Sequence, residues 1–131
     1  ALSIDYKIIN NERFVVAGRN RNKIQGKLEN IIKKIPFKYI GEIIMNCVSK
    51  DGSFSGIDKF RNPFANYTNI PILIGGGFIG NDFSSINFEY SGILTSSYIF
   101  LNNSFKTPLT FYPEKYRVKP LWVNILVVNH A

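Results

Sequence analysis

The chain has 131 residues, nearly half of them apolar (45%), with a formal net charge of +7. That length holds one domain with a core of its own, and the composition is globular rather than disordered. No apolar run reaches the ~20 residues a membrane-spanning helix needs, and a single cysteine, Cys47, excludes a disulfide framework.

Residues 2–7 read as a strand that follows Ala1 directly, with no secretory leader pattern ahead of it. Together with the lone cysteine this sets the expected compartment as the reducing cytoplasm. Residues 8–16 predict a small hairpin turning at Asn10-Asn11, and residues 18–26 a basic, Asn-rich loop. Residues 27–35 predict a helix, because Leu28, Ile31, Ile32 and Ile35 fall at i, i+3, i+4 and i+7 before Pro36 disturbs it. Residues 42–48 predict the most informative strand. Glu42 opens it, and Ile43, Ile44, Met45, Cys47 and Val48 form the nearly unbroken apolar run of a strand covered on both faces.

That strand empties into Ser49-Lys50-Asp51-Gly52-Ser53, a loop dense in backbone N–H groups and short polar side chains. A short helix is expected over residues 58–67, interrupted by Pro63, then a strand over 70–74 closed by Gly75-Gly76-Gly77. Residues 81–90 suggest a further helix, and residues 93–100 a fourth strand carrying Thr95, Ser96 and Ser97. Residues 121–128 are apolar enough for one more strand. The order strand, helix, strand, helix, strand, helix, strand argues for βα units on a parallel sheet, and four such units are half of an eightfold barrel.

The basic residues fall in three groups: Arg19, Arg21, Lys23 and Lys27; Lys33, Lys34 and Lys38; and Lys115, Arg117 and Lys119. They fit a solvated surface, attraction of an anionic substrate, or an acidic partner. Nucleic acid is not expected, since no recognition motif accompanies them and the aromatics lie in apolar runs. A membrane partner is not expected either. No Cys/His cluster has metal-ligand spacing, and no cofactor is implied.

Taken in order, Ser3-Ile4-Asp5-Tyr6-Lys7, Gly41-Glu42-Ile43-Ile44-Met45-Asn46, Asp51-Gly52-Ser53, Ser55-Gly56-Ile57-Asp58, Ile70-Pro71-Ile72-Leu73-Ile74-Gly75-Gly76-Gly77 and Ser96-Ser97-Tyr98-Ile99-Phe100 form a recognisable series. It resembles the C-terminal half of the cyclase subunit of imidazole glycerol phosphate synthase, a TIM (β/α)8 barrel, over about residues 2–113. The tail Lys106-Thr107-Pro108-Leu109-Thr110-Phe111-Tyr112-Pro113 is similar to the ending of a cyclase-like branch from surface-polysaccharide gene clusters. That branch forms amidino-sugars with a glutaminase partner. The expected organisation is a half-barrel over residues 1–113 and an extension of unknown role over 114–131.

The resemblance implies that Asp5 ends the fifth barrel strand as general acid/base. A carboxylate at a strand's C-terminal end, backed by apolar Ile4, suits that work; it also suits an ordinary turn-capping aspartate. Lys7 shares its face, placed to hold Asp5 ionised or to meet an anionic substrate. Asp51, Gly52, Gly76, Gly77, Ser96 and Ser97 match the family's phosphate-binding positions, where glycines admit close approach of backbone N–H groups. The glycine triplet alone would indicate only a tight turn. Glu42 matches a glutamate gating the ammonia path at the opposite face, or is a solvated strand-start residue.

The departures are specific. Nothing corresponds to barrel strands one to four or to the catalytic aspartate of the first strand. Ser49 stands where an Asp is frequent, and Gly75 replaces a small Ser or Cys. Pro36 and Pro63 fall where the family runs helix, and Tyr39 where a glycine caps it. The expected half-barrel exposes two strand edges and one sheet face, so the missing half-barrel, a second copy, or a longer parent chain should complete it; a fragment of a longer protein is the expected case. Two functions follow: a cyclase-type lyase subunit taking ammonia from a glutaminase onto a phosphorylated or nucleotide-linked sugar, or an inactive half-barrel that binds phosphate or a protein partner.

Overall fold

The computed structural model describes residues 1–79, 90–95 and 126–129. Seven strands form one sheet in the order β3-β2-β1-β4-β5-β6-β7. They are β1 (Leu2–Ile9), β2 (Glu12–Ala17), β3 (Lys23–Lys27), β4 (Ile43–Cys47), β5 (Ile72–Gly75), β6 (Gly92–Thr95) and β7 (Leu126–Asn129). The four central strands β1, β4, β5 and β6 are mutually parallel, as the βα reading required. The sheet is mixed because an antiparallel hairpin flanks β1 and an antiparallel strand flanks β6.

The expected hairpin forms at the expected turn. Ile9 pairs with Glu12, leaving Asn10 and Asn11 as a two-residue loop with φ of 50° and 63°. Positive φ at both central positions is the type I′ geometry that matches strand twist, and asparagine tolerates it better than most residues. Residues 18–26 are only partly the loop they suggested. Lys23–Lys27 is β3, added to β2 with a bulge between Val15 and Val16. This outer strand is short, has lysine at both ends and carries a bulged partner, all of which blunt an edge against further pairing.

The helix predicted over 27–35 shrinks to α1 (Leu28–Ile32). Lys27 belongs to β3 and is extended (φ −65°, ψ 139°), so the helix cannot begin earlier. At the other end Lys34 and Ile35 donate to the Ile31 and Ile32 carbonyls in tighter three-residue turns, since Pro36 disfavours the α conformation for the residue before it. Leu28 and Ile32 are buried against the sheet.

No helix forms over 58–67. Asp58 is engaged elsewhere, and residues 62–68 make a single turn in which Asn62 Oδ1 accepts from the Phe64 N–H and the Tyr67 N–H reaches the Phe64 carbonyl. Pro63 fits the opening of such a turn because its missing N–H has no partner to lose there. The helix expected over 81–90 falls almost wholly outside the described residues, and of the strand expected over 93–100 the described part is Gly92–Thr95. No helix among the described residues is long and apolar enough to cross a membrane.

Period-two alternation separates the two faces of the parallel strands. Ile4, Tyr6, Ile43, Met45, Cys47, Ile72, Ile74 and Ile93 point to one face, where Leu28, Ile32, Ile57, Phe64, Phe78 and Tyr90 close over them as the core. The other face carries Ser3, Asp5 and Lys7 on β1, Ile44 and Asn46 on β4, and Gly75 on β5.

The sheet's edges, β3 and β7, are not the β1 and β6 edges expected of a half-barrel. β7 pairs along all of β6, from Gly92 opposite Asn129 to Thr95 opposite Leu126. β2 pairs only with the upper part of β1, from Tyr6 to Ile9, whereas β4 pairs with Leu2 to Tyr6. Among the described residues, the Leu2–Asp5 stretch has no strand on its far side.

Candidate functional site

Parallel pairing puts Asp5, Asn46, Gly75 and Leu94 side by side, one on each of four neighbouring strands. Asn46, Gly75 and Leu94 lie at or next to the C-terminal ends of β4, β5 and β6, while Asp5 lies midway along β1, near the end of the stretch that pairs with β4. The Asn46 amide spans this row: Nδ2 donates to Asp5 Oδ1 at 3.4 Å, and Oδ1 lies 3.6 Å from where a Cβ on Gly75 would sit. A glycine at 75 leaves room for that amide, and a Cβ there would also press on Leu94 at 3.0 Å.

Arg21 completes the arrangement. It sits at the end of the β2–β3 turn, its N–H bonded to the Gly18 carbonyl at 3.0 Å, with φ of 51°. Its Nε lies 3.2 Å from Asp5 Oδ2 and its Nη1 3.5 Å from Asp51 Oδ2. The two carboxylates that the sequence singled out separately are therefore joined by one guanidinium. Lys7, placed by the sequence either to pair with Asp5 or to meet an anionic substrate, makes no ion pair among the described residues. The reason is reach: the hairpin folds Arg21 back over the strand end, while Lys7 lies a full pleat further along β1, opposite Phe14. Nothing local in the sequence distinguished Arg21 from its basic neighbours Arg19 and Lys23.

The loop after β4 is held by its own polar groups. Lys50 and Asp51 N–H both donate to the Cys47 carbonyl, and the Ser49 hydroxyl accepts from the Ile8 N–H at 3.0 Å. Ser53 donates to the Lys50 carbonyl at 2.6 Å and meets Ser55 at 2.7 Å. Lys50 reaches the Gly56 carbonyl at 3.3 Å. Gly52, at φ 71°, is open: nothing lies within 4 Å of its missing Cβ, and its N–H has no acceptor among the described residues.

Gly76 and Gly77 are placed differently. Both have positive φ (97° and 82°), and a Cβ on Gly76 would collide with the Cys47 carbonyl. On Gly77 it would come within 2.6 Å of the Gly56 carbonyl and 2.9 Å of Lys50 Cβ. The Gly56 N–H also donates to the Gly77 carbonyl at 2.7 Å. These glycines therefore let the loops after β4 and β5 interlock directly beside Gly52 and Asp51. Ser96 and Ser97 lie outside the described residues, immediately beyond Thr95 at the end of β6.

Glu42 is at the opposite end of the sheet, where its carbonyl accepts from the Leu2 N–H at 2.8 Å. Its carboxylate makes no ion pair among the described residues. On the core side a second polar cluster went unread in the sequence. Asp58, 5% exposed, accepts from Tyr6 Oη at 2.9 Å and from Arg13 Nε and Nη2 at 2.7 Å each. Arg13 also stacks 3.8 Å over Phe60, whose carbonyl takes the Tyr90 hydroxyl. Burial, then the nearby Cys47 and Asp58, push the Tyr6 phenol far above its ordinary range, and burial raises the Cys47 thiol. Arg13 is held more firmly charged, chiefly by its hydrogen bond to Asp58. The cluster anchors the segment after the β4 loop to the hairpin; it does not open onto the site.

The chain thus offers, at the C-terminal end of the parallel pairing, a half-buried aspartate, an asparagine amide, a second aspartate and a bridging arginine beside an open glycine turn. That is where α/β proteins with parallel strands bind ligands. No curated protein matches the chain. A family model described as "Histidine biosynthesis protein" matches residues 1–103. The family's fold is the TIM barrel, with which the central parallel strands are consistent as part of one, although helices are few. The chain therefore belongs to the histidine biosynthesis protein family of barrel enzymes.

Proposed function

We propose that the chain is the phosphate-binding half of a cyclase-type barrel acting on a phosphorylated or nucleotide-linked sugar, with ammonia supplied by a glutaminase partner. The observation that carries this reading is the row Asp5–Asn46–Gly75 at the C-terminal end of the parallel pairing, with Asp51 and Gly52 brought beside it through Arg21. Asp5 is the general acid/base, its second oxygen free to exchange a proton once Arg21 is drawn off. Gly52, Gly76, Gly77 and, beyond the described residues, Ser96 and Ser97 receive the phosphate. Lys7 adds positive charge on the same face.

Glu42 is assigned to the ammonia entrance at the other end of the strands. Support for a partner there comes from Tyr39 and Tyr67, large aromatics left 77% and 46% exposed near the N-terminal ends of β4 and β5. Phe37 stacks on Tyr67, and Lys38 lies over Tyr39. Exposed aromatics in a cluster are what protein interfaces favour. The amidino-sugar branch rests on the tail of residues 106–113, outside the described residues.

A second reading is supported by β7, which occupies the edge of β6 where a closed barrel would continue. Under it the chain binds phosphate or a protein partner without turnover. Calorimetric titration of the full chain with ribose 5-phosphate tests the feature both readings share. Gly52→Asp adds a carboxylate where a Cβ meets nothing within 4 Å, at a φ of 71° that aspartate tolerates better than most residues, and should abolish binding. Binding that survives Gly52→Asp, or its absence in the native chain, would sink the phosphate site. Asp5→Asn in the completed barrel separates the two readings: turnover falling by about 10²–10⁴-fold supports the catalytic one.

A further inference from the structure

The contact between Arg21 and the two carboxylates is poorly matched to a guanidinium. Each aspartate receives a single nitrogen, Nε at 3.2 Å for Asp5 and Nη1 at 3.5 Å for Asp51. All three groups reach solvent, with side-chain exposures of 47% for Arg21, 27% for Asp5 and 44% for Asp51. Single-nitrogen, water-screened pairs of this kind are weak. The guanidinium fork is better satisfied by an anion that takes two parallel N–H bonds, and phosphate does so. Arg21 also holds a left-handed backbone (φ 51°) in a turn ahead of an edge strand that pairs only with β2. The side chain is thus presented over the strand ends from a segment that little else restrains.

We propose that Arg21 is an anion-operated clasp: in the empty site it closes on Asp5 and Asp51, and the phosphate group of an incoming ligand takes it from them. The inference rests on the phosphate-binding reading above and adds a residue and a coupling to it. Arg21 becomes a direct ligand of the phosphate, and its departure uncovers Asp5 Oδ2 as the phosphate arrives. Anion binding and release of the base are then one event. A ligand without the anionic group would leave Asp5 paired.

The coupling gives signs that a merely structural Arg21 would not. With inorganic phosphate as the probe and the full chain in the calorimeter cell, Arg21→Gln should weaken binding by about tenfold or more, and Arg21→Lys should restore only part of it, since an ammonium lacks the fork. Asp5→Asn removes a competitor for Arg21 and should tighten phosphate binding several-fold. In Asp5→Asn/Arg21→Gln that gain should vanish. Circular dichroism shows whether each variant remains folded.

Phosphate binding that ignores Arg21 but is lost in Gly52→Asp would overturn the clasp and leave the phosphate site standing. Tightening in Asp5→Asn that persists without Arg21 would likewise overturn it. No phosphate binding by either the native chain or Asp5→Asn would overturn the clasp together with the reading beneath it.

Discussion

Replacing Asp58 with alanine should cost the fold a large share of its stability, and the geometry says which atom is responsible. The carboxylate accepts three hydrogen bonds, one from Tyr6 and two from Arg13. The two donors are not equally dependent on it. Arg13 keeps 26% of its side chain exposed and rests on Phe60, so it can turn its nitrogens to water; after solvent screening its loss is about 0–1 kcal/mol. Tyr6 is 0% exposed and cannot. A buried hydroxyl deprived of its acceptor costs about 1–3 kcal/mol. The sum, about 1–4 kcal/mol, is a substantial part of the roughly 5–15 kcal/mol that holds a domain together. Urea unfolding followed by circular dichroism measures it as a shift in midpoint at unchanged slope. The decisive variant is Asp58→Ala/Tyr6→Phe. If the stranded phenol carries the cost, removing it should return about 1 kcal/mol relative to Asp58→Ala alone. Strict additivity of the two substitutions, or a loss below about 1 kcal/mol for Asp58→Ala, would refute the assignment of the cost to Tyr6.

The same burial sets a pH dependence. The Tyr6 phenol and the Cys47 thiol are both raised in the folded chain above their ordinary values of 10.0 and 9.0. The unfolded chain therefore releases protons first, so stability is full below about pH 9 and falls as pH rises beyond it. Urea midpoints taken across the alkaline range should decline, and Tyr6→Phe should flatten the decline above about pH 10 while leaving the Cys47 part. The glycines of the site should separate by substitution with alanine. Gly76→Ala meets a backbone carbonyl as well as a strained φ of 97°, and should lower stability by more than ~2 kcal/mol. Gly52→Ala meets open space at φ 71° and should cost only about 1 kcal/mol, and thermal melts of the two variants compare them directly.

Legibility in the sequence followed the range of the physics involved. Apolar runs and period two are local, so the parallel strands at Ile43, Ile72 and Ile93 could be read directly, and the Asn10-Asn11 turn carried its own geometry. β3 could not be read. Lys23-Ile24-Gln25-Gly26-Lys27 is exposed over its first three residues, has an interior glycine, and becomes a strand only because β2 offers an edge. The missing helix after Asp58 has a similar cause. Pro63 warned of an interruption, but the larger effect is Asp58 turned inward to Arg13 and Tyr6, residues 45 and 52 positions away. At the site, Asp5, Asp51 and the glycines were visible as strand-end and turn residues. Arg21 was not, because its role is set by how far the hairpin folds back rather than by its neighbours in the chain.

The two functional readings make opposite demands on the sheet edges. A barrel completed by other strands must accept one partner beside β1 and another beside β6. Beside β1 there is room: the hairpin pairs with Tyr6 to Ile9 and leaves the Leu2–Asp5 stretch free on that side among the described residues. Beside β6 there is not, since β7 already takes up Gly92 to Thr95 in antiparallel register. An active barrel therefore requires β7 to leave, whereas a binding module requires it to stay, because without it β6 becomes a bare edge next to the ligand loops. The Asp5–Asn46–Gly75 row is common to both, so phosphate binding alone does not choose between them. What chooses is the backbone of β6. Ser91 donates to the Ile72 carbonyl of β5, so by alternation the N–H groups of Gly92 and Leu94 face β7. Slow hydrogen exchange at Gly92 and Leu94 that persists when residues 114–131 are removed means that another strand has taken β7's place; exchange that becomes fast means that β7 is the strand that finishes this sheet.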